Sequence, residues 1–353
     1  MNNSMHYLMD YEDGIRVAAF GEIMLRLKSP GHERLMQSGT LEASFGGSEY
    51  NVLASLAQFG LRCKLVSQVP ENDIGAACLG DIRSFGIETS DIRRHDARMG
   101  QYFLESGSNQ RSGKVIYDRK GSAFAHFQKN DITWEDALAD SQWFLVSGIT
   151  PALSGELAEM TLEAIRVAKA CGLTVVFDFN YRESLWRDNR LDAPDIMRKI
   201  VQHVDVLMAS ERDCMLCLDV SVGDTSPDGQ GRNYALTEKM FERYPNLKVM
   251  SSTFRDVISA DHHNLSAGLR DRSGYYVSRN FSLQNIVDRI GAGDAFAAGL
   301  IYGLMKNQGG QKALDFATAA ACLKHSIPGD INRVTRKEIV DLLGGEFMGQ
   351  VKR

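Results

Sequence analysis

The chain has 353 residues, of which 44% are hydrophobic and 24% charged, and its formal net charge is −5. That length suits one large α/β domain with a modest appendage, and the composition is that of an ordinary soluble globular protein. The acidic balance gives no reason to expect nucleic acid or a membrane surface as a partner, although a few arginines would suffice for a local anion-binding pocket.

Residues 1–13 are polar and mixed in charge, without the basic-then-apolar order of a signal peptide, so a cytoplasmic location is expected. No apolar run reaches the length of a bilayer span. Cys214 and Cys217 form a lone C-x-x-C among six cysteines, with no second pair to complete a zinc set. Reduced, mostly buried thiols are the expectation.

Val17-Ala-Ala-Phe-Gly reads as a buried strand ending in a glycine turn. Residues 22–41 are mixed, more strand and loop than helix. Phe45-Gly-Gly-Ser-Glu-Tyr-Asn leads into helical apolar spacing over 52–59, stopped by Gly60. A short strand at 65–69 and a helix over 73–85 follow. Residues 101–105 and 114–118 are β-prone runs joined by a polar stretch, which predicts a hairpin. From Trp143 onward strands (144–148, 173–179, 206–209) alternate with helices (155–171, 196–203, 211–218), the pattern of a parallel sheet covered on both faces. Residues 222–232 predict a surface loop, Lys248-Val-Met-Ser-Ser and Tyr275-Tyr-Val-Ser are β-like, and two helices follow over 295–305 and 311–325.

The stretch that carries chemistry is Asp288-Arg-Ile-Gly-Ala-Gly-Asp-Ala-Phe. Glycines let a backbone turn tightly, and the free amides of a helix N-terminus attract anionic oxygen. Asp294 has two readings: a favourable acid in a first helical turn, or a base that takes a proton from an attacking hydroxyl while Gly291, Ala292 and Gly293 amides hold a phosphoryl group. Neither a G-x-x-x-x-G-K-[ST] loop nor the protein-kinase motif set is present.

Asp288 to Phe296 resembles the C-terminal signature of the ribokinase-like (phosphofructokinase-B) carbohydrate kinases, and Phe45 to Asn51 resembles their N-terminal Gly-Gly-x-x-x-Asn. Gly21-Glu-Ile-Met-Leu-Arg, Phe177-Asp-Phe-Asn-Tyr-Arg and Lys324-His-Ser-Ile-Pro-Gly-Asp-Ile-Asn are similar to the 2-keto-3-deoxygluconate kinase branch. The resemblance spans about residues 17–343. It implies an α/β fold: a ribokinase-like doubly wound, mostly parallel sheet flanked by helices, with a small β-sheet lid. The domain would run from 15 to 345, with lid segments at about 22–42 and 97–127 and tails at 1–14 and 346–353.

The resemblance also implies an ATP-dependent kinase for a sugar acid, with Asp294 as base and Gly291, Ala292 and Gly293 as anion hole. Gly46, Gly47, Asn51, Tyr102 and Arg182 would bind the acceptor, and Arg182 could pair with a carboxylate. A salt bridge from Arg182 to Asp178 or Glu183 is the structural alternative. Glu22 would lie at the substrate mouth or pair with an arginine. Ser252, Thr253, Arg255, Gly291, Gly293, His325 and Asn332 would contact ATP.

The sequence departs from the family at two places. Leu104 stands where some members carry an arginine for the acid, a loss that Arg111, Lys114 or Arg119 could compensate. Ser210 and Asp213 stand where Asn-x-x-Glu is common, so Asp213 is the candidate for a water-mediated link to Mg²⁺. A monovalent-cation requirement stays open, and exposed lid strands suggest a homodimer. The alternatives are a kinase for a neutral sugar such as fructose or ribose, and a non-catalytic sugar sensor on the same fold. A nucleotide-dependent oxidoreductase would need G-x-G-x-x-G after the first strand, where Phe20-Gly-Glu-Ile-Met stands instead.

Overall fold

Alternate residues of a strand face opposite sides of its sheet, and here both sides are apolar. The computed structural model describes residues 17–223 and 229–345. The expected tails and the middle of the expected 222–232 loop lie outside the described residues. The strands are β1 Val17–Phe20, β2 Met24–Lys28, β3 Glu42–Gly46, β4 Cys63–Pro70, β5 Ile92–His95, β6 Gly100–Glu105, β7 Lys114–Asp118, β8 Trp143–Ser147, β9 Thr174–Asp178, β10 Val206–Met208, β11 Val249–Ser259, β12 His262–Asp271, β13 Tyr275–Val277 and β14 Phe281–Gln284.

The large sheet runs β13-β12-β11-β10-β9-β8-β1-β4-β5, with β14 paired to β12. It is parallel from β5 to β11 and antiparallel beyond. Leu145 and Val176 enter one core layer, while Phe144, Val146, Val175 and Phe177 enter the other. Phe20 packs edge-on against Trp134, ring centroids 5.0 Å apart, and burying such a ring contributes about 1.5–3 kcal/mol. Strand order reverses between β1 and β8, so a crevice opens at their C-terminal ends.

Four strands form a second sheet, β3-β2-β6-β7, which supplies the expected lid. The β6–β7 hairpin is antiparallel, as its spacing predicted. β3 continues to Gly46, four residues past the expected boundary, because Met24 pairs with Gly46. Two other expectations need correction. The helix Gly229–Arg243 begins within the expected 222–232 loop, its start disguised by Gly229 and Gly231. The β-like run at Lys248 is the start of β11 and β12, an antiparallel hairpin of 11 and 10 residues. No described helix is long and apolar enough to cross a membrane.

Candidate active site

The loop ahead of the helix Ala292–Met305 is shaped by its acids. Asp288 is buried and accepts from the Ile290 amide at 3.0 Å and the Gly329 amide at 3.1 Å, which folds the loop back on itself. Gly291 then caps the helix at φ 79°, a conformation that side chains resist. A Cβ there would lie 1.8 Å from the Asp330 carbonyl oxygen, so only glycine fits. The Gly293 and Asp294 amides fall in the first turn, where a helix offers no acceptor.

Asp294 is half-buried at the base of a cavity of about 440 Å³. Asn51 Nδ2 donates to its Oδ2 at 2.7 Å and Ser48 Oγ to its Oδ1 at 3.1 Å. Asn180 Nδ2 donates to Ser48 Oγ at 3.2 Å, and the Gly47 amide to Asn51 Oδ1 at 3.3 Å, so both donors are themselves oriented. Burial pushes the Asp294 carboxyl up to about 7; the Asn51 bond opposes this, and the nearby Asp330 charge adds to it. Asp178, at the end of β9, is also pushed up to about 7, by burial first and by Asp294 second. Two acids poised near neutrality in one cavity mark a site for proton transfer.

Asp330 ties the lid to this floor. Its carboxylate accepts from Arg26 of β2 and from the Tyr102 hydroxyl of β6. Arg26 also reaches Asp288, so one buried guanidinium serves two carboxylates. A Cβ on Gly46 would lie 2.3 Å from Asp330 Oδ2, and one on Gly47 2.1 Å from the Glu22 carbonyl. The glycine pair is therefore demanded by packing as well as by access. Glu22 takes the arginine pairing: Arg119 Nε donates to it at 2.8 Å and Ser122 Oγ at 2.6 Å.

One cavity gathers Gly47, Asn51, Tyr102, Arg182, Arg255, Gly291, Gly293 and Asp294. Gly46, Ala292, Asp213, Ser252, Thr253, His325 and Asn332 do not line it. Arg182 donates to the Tyr181 carbonyl at 3.1 Å, and Glu183 pairs instead with Arg212, leaving the Arg182 charge to the cavity. Of the three lid cations, Arg119 lines the cavity, whereas Arg111 is bound to Glu105 at 2.6 Å.

In the nucleotide half, Ser252 Oγ donates to the Ala209 carbonyl at 2.5 Å and accepts from Asn233. Among the described residues His325 Nε2 and Asn332 Nδ2 are buried without a partner, and such orphaned polar atoms are what a bound base could satisfy. Asp213 Oδ2 accepts from the Ser210 amide at 2.8 Å and its hydroxyl at 2.7 Å, a capping box on the helix Glu211–Leu218. Among the described residues no group of three or more acids, histidines or cysteines is arranged to hold a metal. Mg²⁺ carried mainly by phosphate oxygens and water fits that sparse donor set.

Sequence reasoning missed Ser48, Arg26, Asp330 and Arg289. A signal existed for all four, since each lies inside a motif already quoted, but only for Ser48 and Arg289 does a neighbouring glycine point to the cavity.

A model of the pfkB family of carbohydrate kinases matches residues 15–226 and 272–336. A 2-dehydro-3-deoxygalactonokinase of Haloferax volcanii is 31% identical over 333 residues, 94% of this chain and 98% of that protein. A 5-dehydro-2-deoxygluconokinase of Clostridium perfringens is 28% identical, covering 91% of each. The crystal structure of 2-dehydro-3-deoxygluconokinase from Thermotoga maritima superposes with a TM-score of 0.89 at 40% identity, over 95% of this chain and all of that one.

Proposed function

This chain belongs to the pfkB family of carbohydrate kinases, and we propose that it transfers the γ-phosphoryl group of ATP to a hydroxyl of a 2-keto-3-deoxy sugar acid, 2-keto-3-deoxygluconate giving its 6-phosphate. The observation that carries the reaction type is Asp294, held by Asn51 and Ser48 beside the free amides of its own helix. The acceptor hydroxyl gives its proton to Asp294 as its oxygen bonds to phosphorus, and the bond to the bridging oxygen of ADP breaks. Amides at Gly291 and Gly293 face the charge on the transferred group, while that of Ala292 is turned to the Arg289 carbonyl.

The acid is favoured by Arg182, an arginine on the cavity wall without an ion pair among the described residues, and by the names of the relatives. In this reading Asn51, Gly47 and Tyr102 hold sugar hydroxyls, and ATP runs from Gly291 and Gly293 past Arg255 toward His325 and Asn332. Mg²⁺, when bound, would neutralise phosphate charge, with Asp213 reaching it through water. The exposed Ile116 and Tyr117 on edge strand β7 favour a homodimer through the lid.

The test is ADP release across 2-keto-3-deoxygluconate, its galacto epimer, 5-dehydro-2-deoxygluconate, fructose and ribose, run beside Asp294→Asn. We expect a sugar acid to be preferred and the substitution to lower kcat by about 10²–10⁴-fold. Near-normal turnover of the variant would refute the base; a preference for fructose or ribose would refute the acid reading.

A further inference from the structure

Two guanidinium groups on the cavity rim have no counter-charge. Arg289 stands two residues before Gly291, and Arg255 comes from the outer half of β11; both line the cavity that holds Gly291, Gly293 and Asp294. Neither makes an ion pair or a side-chain hydrogen bond among the described residues. Of the other cavity arginines and their neighbours, Arg26 is committed to Asp288 and Asp330 and Arg119 to Glu22, while Arg182 faces the acceptor side beside Asn180 and Asp178. Two like charges brought together without an anion raise the free energy of the empty site and lower that of a phosphate-bound one. The Arg255 guanidinium is accordingly pushed below its ordinary value, by burial first and by Arg289 second.

The rest of the wall makes such cations necessary. Asp178, Asp294 and Asp330 line the same cavity, and a multiply charged triphosphate must approach them. Asp213, the acid nearest to a metal-linked role, has one oxygen committed to capping its own helix. The positive charge that the protein itself offers the phosphates therefore comes from side chains on this wall.

We propose that Arg289 and Arg255 form a two-pronged phosphate clamp, with Arg289 the catalytic residue that grips the transferring phosphoryl group and Arg255 holding the β-phosphate of the leaving ADP. The inference deepens the kinase reading above and rests on it. As the acceptor oxygen bonds to phosphorus, the electron pair of the breaking bond stays on the bridging oxygen, and the proton passes to Asp294. The clamp faces the charge that gathers on the phosphoryl and bridging oxygens.

Both side chains sit on the rim, so Arg289→Met, Arg255→Met and the double variant should fold, which a melting curve checks. Calorimetric titration of the full chain with ATP, ADP and AMP in Mg²⁺ and without acceptor reads the clamp independently of turnover. We expect each single variant to lose about tenfold in ATP affinity while AMP stays within about twofold, and Arg289→Met to lose at least ~10² in kcat. Wild-type ATP affinity and kcat in Arg289→Met would overturn the proposal. So would a fall in AMP affinity that matches the fall for ATP, since the arginines would then serve the adenosine or the fold. Should the wild-type chain phosphorylate none of the acceptors, the acceptor reading fails, and the ATP-against-AMP comparison still decides the clamp.

Discussion

Replacing Asn51 by alanine removes the shorter of the two hydrogen bonds that hold the Asp294 carboxylate, the 2.7 Å bond from Nδ2. That bond favours the charged form, and it is the largest influence opposing the burial that pushes Asp294 up to about 7. A hydrogen bond to a charged group contributes about 1.5–3 kcal/mol, and 1.36 kcal/mol corresponds to one pH unit, so the Asp294 midpoint should rise by roughly 1–2 pH units. The base works ionised, so wild-type kcat/KM should climb with pH through about 7. In Asn51→Ala the same limb should sit at roughly 8–9, with activity at pH 7 lowered about 5–50-fold and partly regained at pH 9. Steady-state rates from pH 5.5 to 9.5, with saturating ATP and varied acceptor, measure this. An acid limb that stays put, with only a uniform loss of rate, would refute the reasoning, because Asn51 would then serve the acceptor and not the base.

The remaining predictions concern stability and specificity. Asp294 and Asp178 both stand above the ordinary 3.8, so between about pH 4 and 7 the folded chain binds more protons than the unfolded one. Stability should therefore fall as pH rises through that window; Asp178→Asn should raise the unfolding free energy at pH 8 by about 1–2 kcal/mol after allowance for screening, seen as a higher Tm, and leave it unchanged at pH 3. Equal effects at both pH values would contradict the assignment. Arg182→Met should raise KM for a sugar acid about 10–100-fold and leave neutral sugars nearly unaffected; parallel losses on both would mean a structural role. Gly291→Ala places a Cβ 1.8 Å from a backbone oxygen at φ 79°, so it should lower stability by about 1–3 kcal/mol and abolish most turnover, as denaturant melts and ADP release would report.

The sequence announced the features that are local and concealed those that are not. Asp294 was legible because glycines, acid and helix start lie within a few residues, and the sheet was legible because β8 to β10 alternate with helices of ordinary length. Arg26 was not: in Met24-Leu-Arg-Leu-Lys it reads as the wet side of a lid strand, yet it is buried, since its partners lie 262 and 304 residues away. The β11–β12 hairpin escaped because Phe254-Arg-Asp-Val-Ile lacks the period-2 alternation of a half-buried strand; its outer half is exposed and paired to β12 through its backbone. Asn51 was found through its motif, but its partner was not, because nothing in a helix start reveals which carboxylate its amide will meet.

The long reach of Asp330 bears on how the protein is made. Arg26 and Tyr102 emerge from the ribosome 304 and 228 residues before the carboxylate that holds them. At roughly 5–20 residues per second, the lid strands wait about 10–60 seconds for that anchor. For most of that interval the Arg26 charge has neither acid, since Asp288 follows it by 262 residues, and the glycine pair has no floor to pack on. Synthesis thus delays assembly of the cavity until Asp330 has been made, and a truncated product that stops short of it would carry Asp294 without the anchor that ties the small sheet beside it.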